Sequence, residues 1–384
     1  MVFMAIAVGS VIGCSVVIST LFGGRRYDEM KTAISTMLLA SLVLSVFLTA
    51  VGLLSSGWLM HLTNTPENIF SDGLLYLRVY LFGLLFLFFY NIANGIFTAL
   101  GDSKTPLYFL IGSSLGNVVL DWIFVAKFGW GVAGVAWATF LAQGVACILS
   151  LIALTRRLRQ IKTGPYRRFS LPALGQMARI TIPSILQQSF VSVGMLLIQG
   201  LINGFGSSVI AGYSAAIKLN TFAIMSFNAL SSAISSFTAQ NLGAGEHPRV
   251  KAGFRGGLSL VFCIALPFFV GYFFFGNKLI SLFLKAESPV ALQTGMEFLK
   301  TISPFYFIIP IKLVADGILR GAGAMREFMI STFADLILRV ALASILVSPF
   351  GAIGIWWSWP FSWVIGTLLS LYFYKRGHWL HHTI

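Results

Sequence analysis

The run TAISTMLLASLVLSVFLTAVGLLSS, residues 32–56, contains no charged side chain and decides the fold class of this chain. At 1.5 Å per residue, a helix of this length spans the roughly 30 Å hydrocarbon core of a membrane. A spanning β-strand needs only about ten residues, and backbone polar groups in lipid must be satisfied within the segment or a closed barrel. The run therefore predicts a transmembrane α-helix.

Runs of the same kind recur along the whole chain. The predicted spans are 1–22, 32–56, 73–99, 106–126, 131–155, 180–203, 208–240, 252–275, 297–320, 328–347 and 351–374. The composition agrees, because 57% of the residues are hydrophobic and only 10% are charged, whereas about a quarter of the residues of an average protein are charged. We expect an all-α, polytopic integral membrane protein.

The basic residues lie mainly in the short connectors between these runs, and chiefly in alternate connectors. The largest cluster falls within 156–168, whereas the opposite connectors contain only Lys127, Lys278 and Lys285. Cytoplasmic loops of membrane proteins are enriched in Lys and Arg. This pattern places the linker and the C-terminus in the cytoplasm and the first span's N-terminus outside. No long basic stripe with interleaved aromatics accompanies the net charge of +14, so we expect no nucleic-acid partner.

Short segments of the first half recur in the second half, 220 to 222 residues later. The matched segments are 22–24 with 242–244, 131–137 with 351–357, and 101–104 with 323–326. Repeats of this length are typical of transporters. Because matched segments fall on the same predicted side of the membrane, the halves are predicted to be parallel repeats.

The repeat predicts two lobes and a linker. These are an N-terminal lobe of five transmembrane helices at 1–155, a basic cytoplasmic linker at 156–171, and a C-terminal lobe of six helices at 172–384. The first lobe lacks a counterpart of the 180–203 helix. Together with the charge topology, this difference leads us to expect that a preceding helix is missing, so that the full form has six helices in each lobe around a central cavity.

Asp121 is the most informative ionisable residue within a predicted span, because intramembrane acids are costly and usually functional. Asn117 lies one turn earlier on the same helix face, and Thr139 on the next helix can add a hydroxyl. No basic residue lies within a turn of Asp121. Such a carboxylate can bind Na⁺ through hard oxygen ligands or take up a proton; the alternative is an Asp that bonds a neighbouring helix. We favour cation coupling, with no other metal and no cofactor.

Charged residues of the second lobe recur at helical spacing, so that opposite charges can pair at i and i+4. Two interpretations stay open: a network that packs the helices, or a proton relay or substrate gate. The residues are Lys218, Lys312, Asp316, Arg320, Asp335 and Arg339.

Two amides follow the proline at position 183, and two more lie on the next predicted span. The four can either line a polar substrate cavity between the lobes or bond helices together. They are Gln187, Gln188, Asn220 and Asn228. The abundant Phe and Met residues suit an adaptable hydrophobic pocket. The sequence has no P-loop, HExxH or GxSxG motif, so we do not expect an enzyme.

Five stretches of the chain resemble, in their order and spacing, the multidrug and toxic compound extrusion (MATE) family of efflux transporters. They are ALGDSKTPLYF (99–109), NVVLDWIFV (117–125), FGWGVAGVAWAT (128–139), TAQNLGAGE (238–246) and DGILRGAG (316–323). The resemblance implies twelve helices in two six-helix lobes with a V-shaped cavity. It also implies export of amphipathic, often cationic drugs or toxic compounds, driven by inward Na⁺ or H⁺.

The resemblance assigns Asn117, Asp121 and Thr139 to the first-lobe cation site of the family. That site normally includes an aspartate on the first helix, which this sequence lacks. Another branch uses acids on the seventh and tenth helices, but the comparable positions around Val191 and Ile309 are apolar. We therefore expect a single coupling site, in a monomeric transporter of the inner (plasma) membrane whose partners are small amphipathic substrates and membrane lipid.

Two alternatives to a drug exporter follow from the same residues. A lipid-linked precursor flippase of the same superfamily predicts a more cationic central cavity, to which Lys218, Lys312 and Arg339 would contribute. The other alternative is an inactive, truncated transporter that inserts and folds without the preceding helix.

Overall fold

The computed structural model describes residues 2–62, 66–284 and 288–381, and this part of the chain is helical almost throughout and contains no strand. Lys285, which the topology prediction uses, lies outside the described residues. The helices are α1 (Val2–Gly23), α2 (Tyr27–Leu62), α3 (Glu67–Phe82), α4 (Leu84–Ala99), α5 (Lys104–Asp121), α6 (Gly131–Gln160), α7 (Leu171–Asn203), α8 (Ser207–Gly243), α9 (His247–Ser281), α10 (Pro289–Ile302), α11 (Ile309–Gly321), α12 (Met325–Phe350) and α13 (Ala352–Arg376).

Two spans are bent, and the bends explain why the described residues contain more helices than spans. α3 meets α4 at an angle of 45° at Gly83, and the pair Pro289–Phe307 and α11 meets at 51°. In the second pair a 3₁₀ turn, Ser303–Phe307, precedes Pro310 in the first turn of α11. Pro304, the second residue of that turn, lacks the N–H that would bond Lys300 and continue α10. Pro310 lacks the N–H that would bond Tyr306, so the helix is interrupted between the two prolines.

Nine helices of the described chain are long and apolar enough to cross a membrane, and the two bent pairs bring the number of candidate spans to eleven. Each of the eleven predicted spans coincides with one of them. The all-α, multi-span fold class is therefore confirmed.

The helices form two compact units, Met1–Ile182 and Pro183–Ile384. The first contains α1–α6 and the start of α7; the second contains the rest of α7 and α8–α13. The predicted boundary at 171/172 lies in the first turn of α7, ahead of the division between the units.

The predicted linker is packed within the first unit. Its first residues continue α6 to Gln160, and the following residues lie along α2. Lys31 donates from Nζ to the carbonyl of Ile161 at 2.8 Å and to Thr163 Oγ1 at 3.0 Å, and the N–H of Gly164 donates to Asp28 Oδ1 at 2.8 Å. These bonds tie the backbone of the basic segment to α2.

The turn that follows α1 in the first unit and the turn that follows α8 in the second unit have the same hydrogen bonds. The N–H of Arg26 donates to the carbonyl of Leu21 at 2.9 Å, and Glu246, 220 residues later, donates to Asn241 at 2.8 Å. The residue before each donor has a positive φ, 57° at Arg25 and 76° at Gly245. The repeat read from the sequence is thus a repeat of backbone conformation, although one copy places an arginine where the other has a glycine.

Candidate functional site

Asp121 is the last residue of α5, and a π-helical segment, Trp122–Lys127, follows it directly. π-helical segments are rare in proteins, and those that occur are often found at functional sites. The carboxylate oxygen Oδ1 is buried and has no hydrogen-bond partner among the described residues. A buried acceptor without a partner costs about 1–3 kcal/mol, so this oxygen marks Asp121 as a candidate ligand-binding residue.

Asn117 and Thr139 join α5 to α6 next to this carboxylate. Asn117 Nδ2 donates to Thr139 Oγ1 at 3.4 Å, a long hydrogen bond. Asn117 lies one turn before Asp121 on α5 and contacts Thr139 of α6 through this bond. Neither side chain hydrogen-bonds the buried Asp121 Oδ1.

A cavity of about 240 Å³ in the first unit is bordered by the same two helices and by α1 and α4. Its lining residues are Met4, Ala7, Val8, Leu87, Tyr90, Asn91, Leu110, Ser113 and Gln143. Tyr90 Oη, and Asn94 Oδ1 one turn later, are buried without a partner among the described residues. Hydropathy does not single out these polar residues, but the repeat indicates two of the polar positions: a shift of 222 aligns Tyr90 and Ser113 with Lys312 and Asp335.

The second unit contains four buried charges, Lys312, Asp316, Asp335 and Arg339, which we call the charge cluster. Lys312 Nζ lies 2.7 Å from Asp316 Oδ2 and 4.0 Å from Asp335 Oδ2, and Arg339 Nη2 lies 2.8 Å from Asp335 Oδ1. No side chain of the four is more than 10% exposed. Two anions thus face two cations across α11 and α12, and the cluster is neutral when all four are ionised.

Hydroxyls and indole rings complete the surroundings of the charge cluster. Ser370 Oγ and Ser331 Oγ donate to Asp316 Oδ1 at 2.6 and 3.2 Å. The Arg339 guanidinium lies 4.6 Å from the ring centroid of Trp359 and 6.0 Å from that of Trp363, within the range of cation–π attraction. These bonds and stacks hold the buried charges in one arrangement.

The structure places two of the six predicted network residues apart from the charge cluster. Lys218 is exposed on α8, with Nζ 5.8 Å from the ring centroid of Phe283. Arg320 Nη2 donates to Ser231 Oγ at 3.2 Å, and its guanidinium lies over Phe328. Neither residue forms an ion pair with the cluster in the described part of the chain. Their inclusion in the predicted network was wrong in this respect, because helical spacing alone does not determine which face of a helix packs inward.

The four predicted cavity amides have different surroundings. Asn220 is 2% exposed, and its Oδ1 accepts a hydrogen bond from Tyr306 Oη at 3.0 Å. It therefore bonds packed segments of the second unit, as the alternative interpretation had it. Gln187 and Gln188 are half-buried and Asn228 is exposed.

The two units place these polar groups at matching positions. Shifts of 220 and 222 align Asn117 with Arg339 and Thr139 with Trp359. Asn117 bonds Thr139 in the first unit, and Arg339 stacks on Trp359 in the second. At aligned positions, the contact between helices is a neutral hydrogen bond in the first unit and a cation–π contact in the second.

A sequence model of the MatE family matches residues 1–123 and 183–345, which is most of the chain. The chain belongs to the MatE family. The resemblance to multidrug efflux transporters is therefore confirmed, and members of this family are transporters rather than enzymes.

Named relatives of this MatE protein extend over nearly all of its length. The probable multidrug resistance protein YpnP of Bacillus subtilis is 31% identical over 367 residues, 94% of this chain and 81% of the relative. An FAD transporter of Shewanella oneidensis is 23% identical over 92% of this chain and 77% of the relative. The multidrug export protein MepA of Staphylococcus saprophyticus is 22% identical, with coverages of 90% and 76%.

Solved transporter structures share the fold of this MatE protein. An outward-facing multidrug resistance MATE transporter of the MOP superfamily is 24% identical with a TM-score of 0.91, and a MOP superfamily transporter from Pyrococcus furiosus is 23% identical with a TM-score of 0.90. Both matches cover 98% of this chain and 85% of the other. At these identities the likeness establishes the two-lobed helical fold and no more.

Proposed function

We propose that this MatE protein is an antiporter that exports amphipathic, often cationic compounds and is driven by inward movement of Na⁺ or H⁺ at Asp121. The observation that carries the proposal is the buried Asp121 Oδ1, which has no partner among the described residues. Asn117 and Thr139 would add an amide and a hydroxyl oxygen beside it. The protein would work as a monomer in the plasma membrane, with its C-terminus in the cytoplasm.

Alternating occupancy follows from the chemistry of a single unpaired acid. The unpartnered Oδ1 of Asp121 would be occupied in one state and free in the other, and a bound cation or proton would supply the partner that the described residues do not. The relative stability of the two states of the transporter then depends on whether the acid is occupied. The half-buried Gln187 and Gln188, with the exposed Asn228, remain our proposed substrate contacts.

The test is efflux of a fluorescent organic cation from proteoliposomes under separately imposed Na⁺ and H⁺ gradients. Asp121→Asn keeps the size of the side chain but cannot ionise, so we expect efflux to lose its dependence on either gradient and to fall at least tenfold. Asp72→Asn on α3, at an exposed acid, is the matched control and should transport like the parent protein. Gradient-driven efflux that survives Asp121→Asn would refute the assignment of the coupling site.

The same vesicles test the alternative functions. Two of the three cations that would favour a flippase, Lys312 and Arg339, are paired with carboxylates inside the second unit, so we propose drug export in preference. FAD, suggested by the relative named an FAD transporter, serves as an anionic substrate in a parallel assay. Transport of FAD or of a lipid-linked precursor, but of no cation, would overturn the substrate class, and no transport at all would favour an inactive form.

A further inference from the structure

The charge cluster contains an acidic pair, Asp316 and Asp335, that shares one ammonium. We propose that the Lys312 ammonium is a resident counter-cation that fills a latent monovalent-cation site between these two carboxylates. The second unit would then take up no exchangeable ion. This inference deepens the cation coupling proposed above and rests on it, since it leaves Asp121 as the exchangeable site.

The oxygens around Lys312 Nζ are those that a hard cation prefers. Asp316 Oδ2 is at 2.7 Å and Asp335 Oδ2 at 4.0 Å, while Ser331 and Ser370 donate to the other oxygen of Asp316, Oδ1, and orient that carboxylate. Carboxylate oxygens are among the usual ligands of such ions in proteins. The ammonium thus occupies the position where a free cation would meet both acids.

The fold itself does not require charges at these positions. A shift of 222 aligns Lys312, Asp316, Asp335 and Arg339 with Tyr90, Asn94, Ser113 and Asn117 of the first unit, none of which is charged. The corresponding helices pack there without an ion pair. Since buried ion pairs often contribute little net stability compared with neutral packing, the charges call for an explanation other than folding.

A glycine makes room for the lysine. A Cβ added at Gly366 of α13 would lie 2.8 Å from Lys312 Cε, shorter than real Cβ contacts, and 3.0 Å from Asp335 Cβ, a tight contact, so the lysine side chain would have to shift. The position 220 residues earlier is Ala146, which carries that methyl group. The glycine therefore leaves space for the Lys312 side chain at a position where the first unit has a methyl group.

Removing the ammonium leaves the cluster with one net negative charge in a buried place. A buried, uncompensated carboxylate is costly, and a free cation that binds between the two acids relieves that cost. With Lys312 present, the two acids need no free cation. The lysine is part of the chain, so its effective concentration at the site does not depend on the salt in the medium. Lys312 thereby determines how many exchangeable cations the whole protein binds.

The test measures binding and not transport. Equilibrium binding of ²²Na⁺ is measured on the purified full chain in detergent, with Asp121→Asn present in every variant so that the proposed coupling site is silent. Lys312→Gln is added because it keeps length and a hydrogen-bond donor while removing the charge. Lys300→Gln, at an exposed lysine on α10, is the matched control for loss of a positive charge.

We expect no specific Na⁺ binding with Asp121→Asn alone or with Lys300→Gln added, and about one Na⁺ per chain when Lys312→Gln is added, with a rise in the unfolding midpoint as Na⁺ increases. Adding Asp335→Asn to the Lys312→Gln protein should abolish the gained binding. Lys312→Met gives a second measurement if the glutamine variant is unstable, and folding of either variant only in the presence of Na⁺ also supports the inference.

The inference is overturned if both Lys312 variants fold and bind no Na⁺ between about pH 6 and 9, which would mean that a proton takes the place of the ammonium. It is equally overturned if neither variant folds at any Na⁺ concentration, since Lys312 would then be a structural requirement. The inference is also contradicted if the Asp121→Asn protein, with Lys312 intact, still binds Na⁺ and loses that binding when Asp316 or Asp335 is replaced. If that persistent binding does not require the acidic pair, it counts against the Asp121 assignment and leaves this inference standing.

Discussion

Arg25 adopts a backbone conformation that L-residues other than Asn and Asp rarely take, with φ at 57°. Its counterpart in the second unit is Gly245, with φ at 76°, and a Cβ added there would meet nothing within 4 Å. The left-handed conformation costs a residue with a Cβ about 1–2 kcal/mol. The first copy of the turn is therefore strained by its side chain, whereas the second is not.

Arg25→Gly should raise the free energy of unfolding by roughly 1 kcal/mol, and Gly245→Ala should lower it by a similar amount. The midpoint of thermal unfolding, followed by tryptophan fluorescence in detergent, measures both changes. The two substitutions act as controls for each other, because both sites have the same hydrogen bonds. A lower midpoint for Arg25→Gly would mean that the arginine side chain stabilises the turn by more than the strain costs.

At the scale of residues, helical spacing predicted some contacts of the second unit and could not predict others. The pairs Lys312–Asp316 and Asp335–Arg339 lie at i and i+4, and the structure contains both. The approach of Lys312 to Asp335 and the bond from Ser370 to Asp316 join different helices. Such contacts depend on how helices rotate about their axes, which hydropathy does not report.

The start of α5 is stabilised by an acid outside the membrane span. Asp102 Oδ1 accepts from the backbone N–H of Lys104 and of Thr105, both at 3.1 Å, and Oδ2 accepts from Thr105 Oγ1 at 2.7 Å. Partial burial raises the pKa of Asp102, but these bonds and the nearby Arg157 charge outweigh it, so the pKa lies below its usual value.

Asp102→Ala should reduce the free energy of unfolding by about 1 kcal/mol, the usual cost of losing a helix cap. Because the folded-state pKa is lowered, this stabilisation is present above the unfolded-state pKa of about 4 and is lost as the pH falls through the folded-state value. Thermal midpoints measured from neutral pH to about pH 3 should therefore converge for variant and parent. Ser103→Ala is the control, since the Ser103 side chain makes no capping bond; an equal loss in that variant would contradict the assignment.

At the scale of helices, the length of each apolar run predicted the spans but not their interruptions. The bend at Gly83 and the π segment after Asp121 leave hydropathy unchanged, so the runs 73–99 and 106–126 appeared continuous. The packing of residues 161–170 on α2 was also missed. The side chains of Lys31 and Asp28 hydrogen-bond the backbone of that segment and order it. The composition of the segment indicated only a basic connector.

The arrangement of the whole chain across the membrane can be tested by labelling. The distribution of Lys and Arg predicts that the segment containing Lys162 faces the cytoplasm and that the end of α9 faces outward. Lys162→Cys and Asn277→Cys, both at exposed positions, should react with an impermeant thiol reagent from opposite sides of right-side-out vesicles. The exposed Cys263 is first replaced by serine in every variant, and the Cys263→Ser protein with no introduced cysteine is the negative control. Labelling of both positions from one side would contradict the predicted orientation.

The matching of neutral and charged positions in the two repeats also limits how their sequences can have diverged. A single substitution that introduces one charge into the buried position leaves that charge uncompensated, and such intermediates are strongly destabilised. Each of α11 and α12, however, contributes one acid and one base to the charge cluster, a single turn apart. Within a pair, the second substitution neutralises the charge that the first one buried, without any change in the neighbouring helix. We therefore expect strong epistasis within each pair and weaker epistasis between the pairs.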